Sequence, residues 1–395
     1  MCQRHRPAMS SSAVCDVLKE HPSWPQCWRA FPWRSMLGPR VLVLGRERRS
    51  SFLAILGFLM LSSLVHSFWY FANTLMEHQL LRAQPPLATP AWTSPQGAYN
   101  LSVLDEHSDP RTLLDRSDFH YVLNSDRCGG PQDLFLVVFV HSAPTHWDKR
   151  RAIRETWGNA SVLRAATTER MALVFMVGRA DDSQTQEALV REGSLHGDLV
   201  MGNFVDSYRN LTYKHVMGLK WVTYFCRNAR YVLKTDDDVF MDLFQLTSYL
   251  RDALGALAPP NLMMCVLIRR PYVKRSQRSK WRVSFREYRG NHYPPYCSGW
   301  GVVMSPDVVF NLYRASAGMP YFWVDDVLIT GILAQRIGLT HVDFGEHLAA
   351  SGQEALAWLG QAPQEPPPFM GHPDLDTDIV YRLWNKTRSY VFHTW

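Results

Sequence analysis

Leu134-Phe-Leu-Val-Val-Phe-Val140 is an unbroken apolar run rich in β-branched residues. A strand covered on one face alternates apolar with polar side chains. A continuous run of this length is the pattern of a strand buried on both faces, as in a parallel sheet. The same pattern recurs along the chain. A helical stretch over 148–157 leads to a second buried strand, Ala172-Leu-Val-Phe-Met-Val177, closed by Gly178. Residues 182–194 read as a helix and Asp198-Leu-Val-Met-Gly-Asn-Phe204 as a third strand. Residues 210–226 place Leu211, Val216, Leu219 and Val222 on one helical face. Tyr231-Val-Leu-Lys234 is a fourth strand. Alternating strands and helices predict an α/β fold with a mostly parallel central sheet, whose ligands gather outside the carboxyl ends of the strands.

The fourth strand runs into Thr235-Asp-Asp-Asp-Val-Phe240. Three acids at a strand end could be a solvated turn or a helix cap. Their position between two apolar segments favours a second use, since carboxylates there can hold Mn²⁺ or Mg²⁺ and leave positions for a diphosphate. A second acidic pair, Asp325-Asp326, lies in the apolar frame Trp323-Val-Asp-Asp-Val-Leu328 at a helix start. Asp there suits the helix dipole; a partly desolvated carboxylate there could also accept a proton from a hydroxyl. Between them, Tyr293-Pro-Pro-Tyr-Cys-Ser-Gly-Trp-Gly301 reads as a Gly- and aromatic-rich turn, suited to a sugar ring or to plain packing. Arg150 and Arg154 share a helix face, where they could meet phosphate or pair with acids.

The 395-residue chain is 46% apolar and 20% charged, which excludes a disordered chain. Its net charge of +6 comes entirely from residues 1–51, with nine basic and three acidic side chains. The remainder balances 33 against 33, so a nucleic-acid-binding domain is not expected. Phe52 to Phe71 is a 20-residue stretch without a charge, about the thickness of the bilayer hydrocarbon as a helix. Arg46, Arg48 and Arg49 precede it. The positive-inside rule then puts residues 1–51 in the cytosol and the rest across the membrane as a single-pass anchor. Sequons at Asn100, Asn159, Asn210 and Asn385 all follow the run. So do Cys128, Cys226, Cys265 and Cys297, an even number suited to an oxidising compartment. Four cysteines allow three pairings; Cys128–Cys226 with Cys265–Cys297 is the one expected, and the sequence leaves the others open. Residues 72–130, with Pro85, Pro86, Pro90 and Pro95, read as a stem, and 131–395 as the globular domain.

Taken in order, these segments resemble the β1,3-glycosyltransferases of glycosyltransferase family 31. The resemblance rests on Arg150-x-x-Ile-Arg-x-Thr-Trp157, Asp206-Ser-Tyr-Arg-Asn-Leu-Thr-Tyr-Lys214 and Met217-Gly-Leu-Lys-Trp221 with Cys226. It continues through Tyr231-Val-Leu-Lys-Thr-Asp-Asp-Asp238, Ser279-Lys-Trp281, Tyr293-Pro-Pro-Tyr-Cys-Ser-Gly299 and Asp325-Asp-Val327. It implies a GT-A nucleotide-sugar-binding fold, a UDP-sugar donor, a divalent cation (Mn²⁺ or Mg²⁺) and a Golgi membrane enzyme of type II topology. By position it makes Asp236 and Asp238 metal ligands, with His372 of Phe369-Met-Gly-His372 as a further one. It puts Asp237, Arg150 and Arg154 at the nucleotide sugar and makes Asp326 the catalytic base. Trp281, Trp300 and Asp325 would face the acceptor. Asp325 stands where the family often has Glu, and Trp300 and Val302 replace more usual residues, departures that fall on the expected acceptor side. The 217–226 segment resembles the galactosyltransferase branch; an N-acetylglucosaminyltransferase, or a sugar- or UDP-binding Golgi protein without activity, are the alternatives.

Overall fold

The computed structural model describes residues 57–68, 111–129, 133–344, 351–361, 369–371 and 373–394. The chain divides into two units, Met1–Tyr70 and Phe71–Trp395. In the first, residues 57–68 form a helix with exposed side chains. Among the described residues no helix is long and apolar enough to cross a membrane. The ends of the expected 52–71 span lie outside those residues, as do 1–51 and Asn100.

The second unit is built on one eight-stranded sheet. In chain order its strands are β1 (Tyr121–Leu123), β2 (Leu134–His141), β3 (Met171–Arg179), β4 (Leu199–Val205), β5 (Ala229–Asp236), β6 (Met263–Ile268), β7 (Tyr296–Met304) and β8 (Val342–Asp343). The spatial order is β1-β4-β3-β2-β5-β7-β6-β8. β4, β3, β2 and β5 pair in parallel. Every residue of β2, at the centre, is buried, which is why its sequence is an apolar run without alternation.

The sheet is mixed rather than mostly parallel. β7 runs antiparallel to both β5 and β6, and β1 antiparallel to β4. The stretch read as a turn ends in this nine-residue β7. Gly299 and Gly301 disguise it, and both lie where another chain segment comes close. A Cβ on Gly301 would collide with Met370 Sδ.

Helices cover both faces. They are α1 (Trp147–Glu155), α2 (Ala160–Ala166), α3 (Ser183–His196), α4 (Leu211–Phe225), α5 (Leu243–Tyr249), α6 (Pro306–Ser316), α7 (Val327–Leu333, continued by Ala334–Arg336), α8 (Gly352–Gly360) and α9 (Thr377–Thr394). One core joins Val137 and Phe139 of β2 to Val216, Leu219 and Trp221 of α4, Phe310 of α6 and Leu328 of α7. The other joins Leu136, Val138 and Val140 to Ile153 of α1, Leu246 of α5 and Leu383 and Trp384 of α9. The expected start of the domain at residue 131 is too late. Leu113, Leu114 and Phe119 are buried, β1 adds a strand to β4, and Cys128 is bonded to Cys226. That first strand is too short to show periodicity in sequence. A second disulfide, Cys265–Cys297, ties β6 to β7.

Candidate active site

The carboxyl ends of β2 and β5 lie side by side, with His141 in register with Asp236. Beyond them opens a cavity of about 570 Å³, the size that holds a small-molecule ligand. Its lining includes Asp236, Asp237, Asp238, Asp325 and Asp326, with His146, Asp206, Tyr208, Lys214 and Lys234. The sheet geometry therefore brings together two acidic clusters that are almost ninety residues apart in sequence. A separate hollow of about 630 Å³, lined by Arg127, Arg154 and Asp198 among others, has no such cluster of carboxylates.

Each acid in the triplet has its own surroundings. The Asp236 carboxylate accepts from Lys234 Nζ at 2.8 Å and keeps about a third of its exposure (35%). Burial pushes it up to about 6; Lys234 pulls the other way, and Asp238 and Asp325 push with it. The backbone N–H of Asp237 donates to His141 O at 3.0 Å. Its carboxylate lies 2.8 Å from His146 Nδ1 and 3.5 Å from Lys149 Nζ. Burial would raise Asp237, but these partners hold it below the ordinary range. Asp238 is raised by burial against the pull of Lys149, with Asp237 and Asp374 adding to the rise. Behind the triplet, Asp242 caps α5 by accepting from the N–H groups of Phe244 and Gln245. The chain 369–375 braces the same loop: Gly371 N–H donates to Phe240 O and Leu375 N–H to Asp238 O. His372 itself lies outside the described residues.

Across the cavity, Asp325 and Asp326 form the entry to α7. Asp325 Oδ2 is 3.0 Å from Nδ1 of the fully buried His215. Burial alone would raise Asp325; the His215 hydrogen bond and the charge on Lys234 bring it below the usual value. Asp326 is driven the other way, well above the usual carboxylate range, by burial and then by Asp325. The structure keeps room for it. A Cβ on Gly299 would lie 2.6 Å from both Asp326 carboxylate oxygens. Thr330 fixes the helix start, donating to Asp326 O at 2.6 Å and accepting from Cys297 N–H at 2.9 Å. Lys234 joins the two halves, because its Nζ also donates to Gly299 O at 2.5 Å. Two adjacent carboxylates pushed in opposite directions are the arrangement that lets one act as a base while its neighbour stays ionised.

Several of these residues had no site role assigned from sequence. His141 and His215 are buried, lie 5.1 Å apart ring to ring, and each keeps an Nε2 without a partner. Burial, then Lys234, depress His141 well below its ordinary value, so it is neutral beneath the acids. Lys214 Nζ donates to Ser142 O at 2.5 Å and to Asp206 at 2.9 Å, tying β4 to the loop after β2. Single buried His and Lys residues show no periodicity, and only the fold reveals that they converge.

Two expected site residues are engaged elsewhere. Arg150 is completely buried, with paired bonds to Glu192 at 2.8 and 2.7 Å and others to Ser142 Oγ, Ala143 O and Pro144 O. Arg154 is bidentate to Asp198 and also pairs with Glu192. Helix spacing gave the shared face but not these partners, which come from α3 and the turn after it. Arg150 braces Ser142, Ala143 and Pro144 of the cavity wall without facing the cavity, and Arg154 lines the separate hollow instead. Trp300 is half-buried, packs on the core beneath α5 and α9, and is absent from the cavity lining. Trp281 is 48% exposed, and its indole is within hydrogen-bonding reach of Tyr208 at the cavity edge.

Known proteins bear on this geometry. The family model described as galactosyltransferase matches residues 148–344, the stretch that supplies both acidic clusters. Over 241 residues the chain is 34% identical to beta-1,3-galactosyltransferase 5 of Pan paniscus, covering 61% of this chain and 76% of that one. The chain belongs to the galactosyltransferase family. It is also 30% identical over 221 residues to beta-1,3-galactosyltransferase 1 of Mus musculus, covering 56% and 66% of the two. Among solved structures, this family member is similar to the WbbM bifunctional glycosyltransferase at 13% identity and a TM-score of 0.35, over 66% of this chain and 52% of that one. An active-site mutant of LgtC matches at 10% identity and a TM-score of 0.33, over 63% and 95%.

A divalent cation fits the cavity. The five carboxylates of the two clusters line it, with Lys149 and Lys234 in ion-pair range of the triplet, and carboxylate oxygens are the donors that Mn²⁺ and Mg²⁺ prefer. Asp236 and Asp238 would be the better ligands, since both keep part of their exposure, whereas Asp237 is buried against His146. His215, Asp325 and Asp326 also offer atoms within 4.8 Å of one another. The hydrogen bond from His215 to Asp325 makes that set an internally paired one.

Proposed function

We propose that this chain is an inverting β1,3-galactosyltransferase that moves galactose from UDP-galactose to the 3-hydroxyl of a terminal sugar on a glycan. The observation that carries the reading is Asp326, a carboxylate biased towards proton affinity, standing across one cavity from the Asp236–Asp238 triplet with Gly299 clearing its place. The acceptor oxygen attacks the anomeric carbon on the face opposite UDP, and the bond from that carbon to the diphosphate oxygen breaks. The acceptor proton passes to the Asp326 carboxylate. The transition state has oxocarbenium character, as in glycoside hydrolysis. A cation held by Asp236 and Asp238 would neutralise charge on the departing diphosphate. His215 and Asp325 hold the first turn of α7, and so the base, in place.

The same proposal includes a Golgi setting with type II topology. It is supported by the apolar run at 52–71 behind a basic cluster, by sequons on its far side, and by two disulfides in the second unit. The test is the full chain in neutral detergent, offered UDP-galactose, UDP-N-acetylglucosamine and UDP-N-acetylgalactosamine with acceptors ending in each of those sugars. A β1,3-linked galactose in the NMR spectrum of the product supports the reading. Transfer from another donor replaces galactose, and UDP binding without turnover on any acceptor would leave a binding protein.

A further inference from the structure

The balanced charge of residues 52–395 conceals a segregated one. The β6–β7 connection, residues 269–295, holds nine basic side chains and one acidic one, Glu287. Two of the nine are occupied: Arg269 pairs with Asp343, and Arg275 donates to the carbonyls of Val283, Tyr288 and Gly290 and so braces the loop from inside. Glu287 does not neutralise the rest. It accepts from Arg209, Ser284 and the Trp323 indole. The remaining basic residues are exposed, and among the described residues none of them makes an ion pair. Mutual repulsion of this kind is unfavourable to the fold, so a loop that keeps it invites an anionic counterpart.

The loop borders the catalytic end of the cavity. Lys280 Nζ lies 4.5 Å over the Trp281 ring, and Trp281 reaches Tyr208. Tyr208 lines the cavity and feels the charge of Asp325, Asp326 and Asp236. Trp323, two residues before Asp325, is stacked under Arg209 at 4.0 Å. Tyr208 and Trp281 are both about half exposed. They make an amphipathic platform for a sugar ring, with cations on its outer side.

We propose that the acceptor carries an anionic group, a sulfate, phosphate or sugar carboxylate, which seats on this basic loop while a neighbouring hydroxyl is presented to Asp326. This rests on the galactosyl-transfer reading above and specifies its acceptor. The donor does not need the loop, because its diphosphate belongs at the Asp236–Asp238 end.

The experiment measures kcat/KM for matched β-galactosides, one neutral, one 6-O-sulfated and one bearing a glucuronic acid, using the full chain in neutral detergent with UDP-galactose. At low salt one or both anionic acceptors should be preferred about tenfold, from two or three exposed charge contacts each worth a factor of about two to five. The preference should fall to within about twofold at 0.5 M salt, and also in the triple variant Arg278→Gln, Lys280→Gln, Arg282→Gln. Which anion is favoured separates tetrahedral oxyanions from carboxylates. Equal kcat/KM for all three acceptors in the unaltered protein, or a preference that survives both salt and the variant, overturns the proposal. So does loop-dependent binding to phosphatidylserine vesicles without any acceptor preference, which would assign the charge to a lipid surface. The salt series on the unaltered chain stands even if the variant folds poorly. Transfer to the neutral acceptor alone would sink the anionic acceptor and leave galactosyl transfer intact. Neither transfer nor hydrolysis of UDP-galactose would sink both.

Discussion

Replacing Gly299 with Ala tests the geometry of the base with one methyl group. Gly299 lies on β7 without a positive φ, so Ala can take its backbone conformation. The new Cβ would stand 2.6 Å from both Asp326 carboxylate oxygens and 2.9 Å from its Cγ. Ordinary contact begins near 3.4 Å, so the carboxylate must withdraw by about 0.8 Å. It cannot do so by moving its helix, because Thr330 ties that turn to β7. The side chain itself must rotate, which takes the base off line from the acceptor hydroxyl. A misplacement of about 1 Å costs about 10²-fold in rate, so kcat should fall about 30- to 100-fold, or about 2–3 kcal/mol in the barrier. Stability should hardly change, because Gly to Ala removes unfolded-state entropy worth about 0.4–1 kcal/mol in the stabilising direction, against the local strain. The assay is kcat and donor KM for Gly299→Ala beside Gly352→Ala, whose methyl would meet nothing within 4 Å. Turnover within twofold of the unaltered protein, at an unchanged Tm, would refute the assignment of Asp326 as a base held in a tight pocket.

Removing divalent cations with EDTA should abolish transfer, and Mn²⁺ should restore it. Since Asp236 is raised to about 6, protons compete with the cation as pH falls through that value; calorimetric Mn²⁺ affinity should drop about tenfold per unit below it, and a flat profile from pH 7 to 5 would exclude Asp236 as a ligand. Arg150→Ala removes two charged hydrogen bonds to Glu192, which keeps Arg154 as its partner, and should destabilise the domain by about 2–3 kcal/mol in a denaturant titration without weakening UDP binding in the folded protein; lost UDP affinity at unchanged stability would return Arg150 to the nucleotide. His215→Ala should lower kcat with little change in donor KM, and His215→Asn, whose amide can replace the Nδ1 bond to Asp325, should recover part of it; equal kcat in the two variants would remove the positioning role.

The parallel half of the sheet was legible because strands buried on both faces leave unbroken apolar runs, as in Leu134–Val140. The antiparallel half was not. In β7 the glycines that admit Asp326 and Met370 also erase the strand signal, so the segment reads as a turn. Asp236 to Asp238 stood out because three acids between apolar segments are improbable as surface. Arg150 and Arg154 stood out for spacing alone, and spacing does not say what a guanidinium will meet: Glu192 and Asp198 lie about forty residues away. A net charge summed over the whole second unit could not show that its positive part gathers in one loop and its negative part elsewhere. Charge placement, like the convergence of His215 with Asp325, is a property of the fold.

The central claim is that Asp326 takes the acceptor proton. Asp326→Asn keeps the shape of the side chain, removes its basicity, and relieves its repulsion with Asp325. Single-turnover transfer from UDP-galactose by this variant, with UDP affinity measured in parallel, should show a rate lowered by about 10²–10⁴-fold at unchanged affinity. Transfer at close to the normal rate would contradict the account.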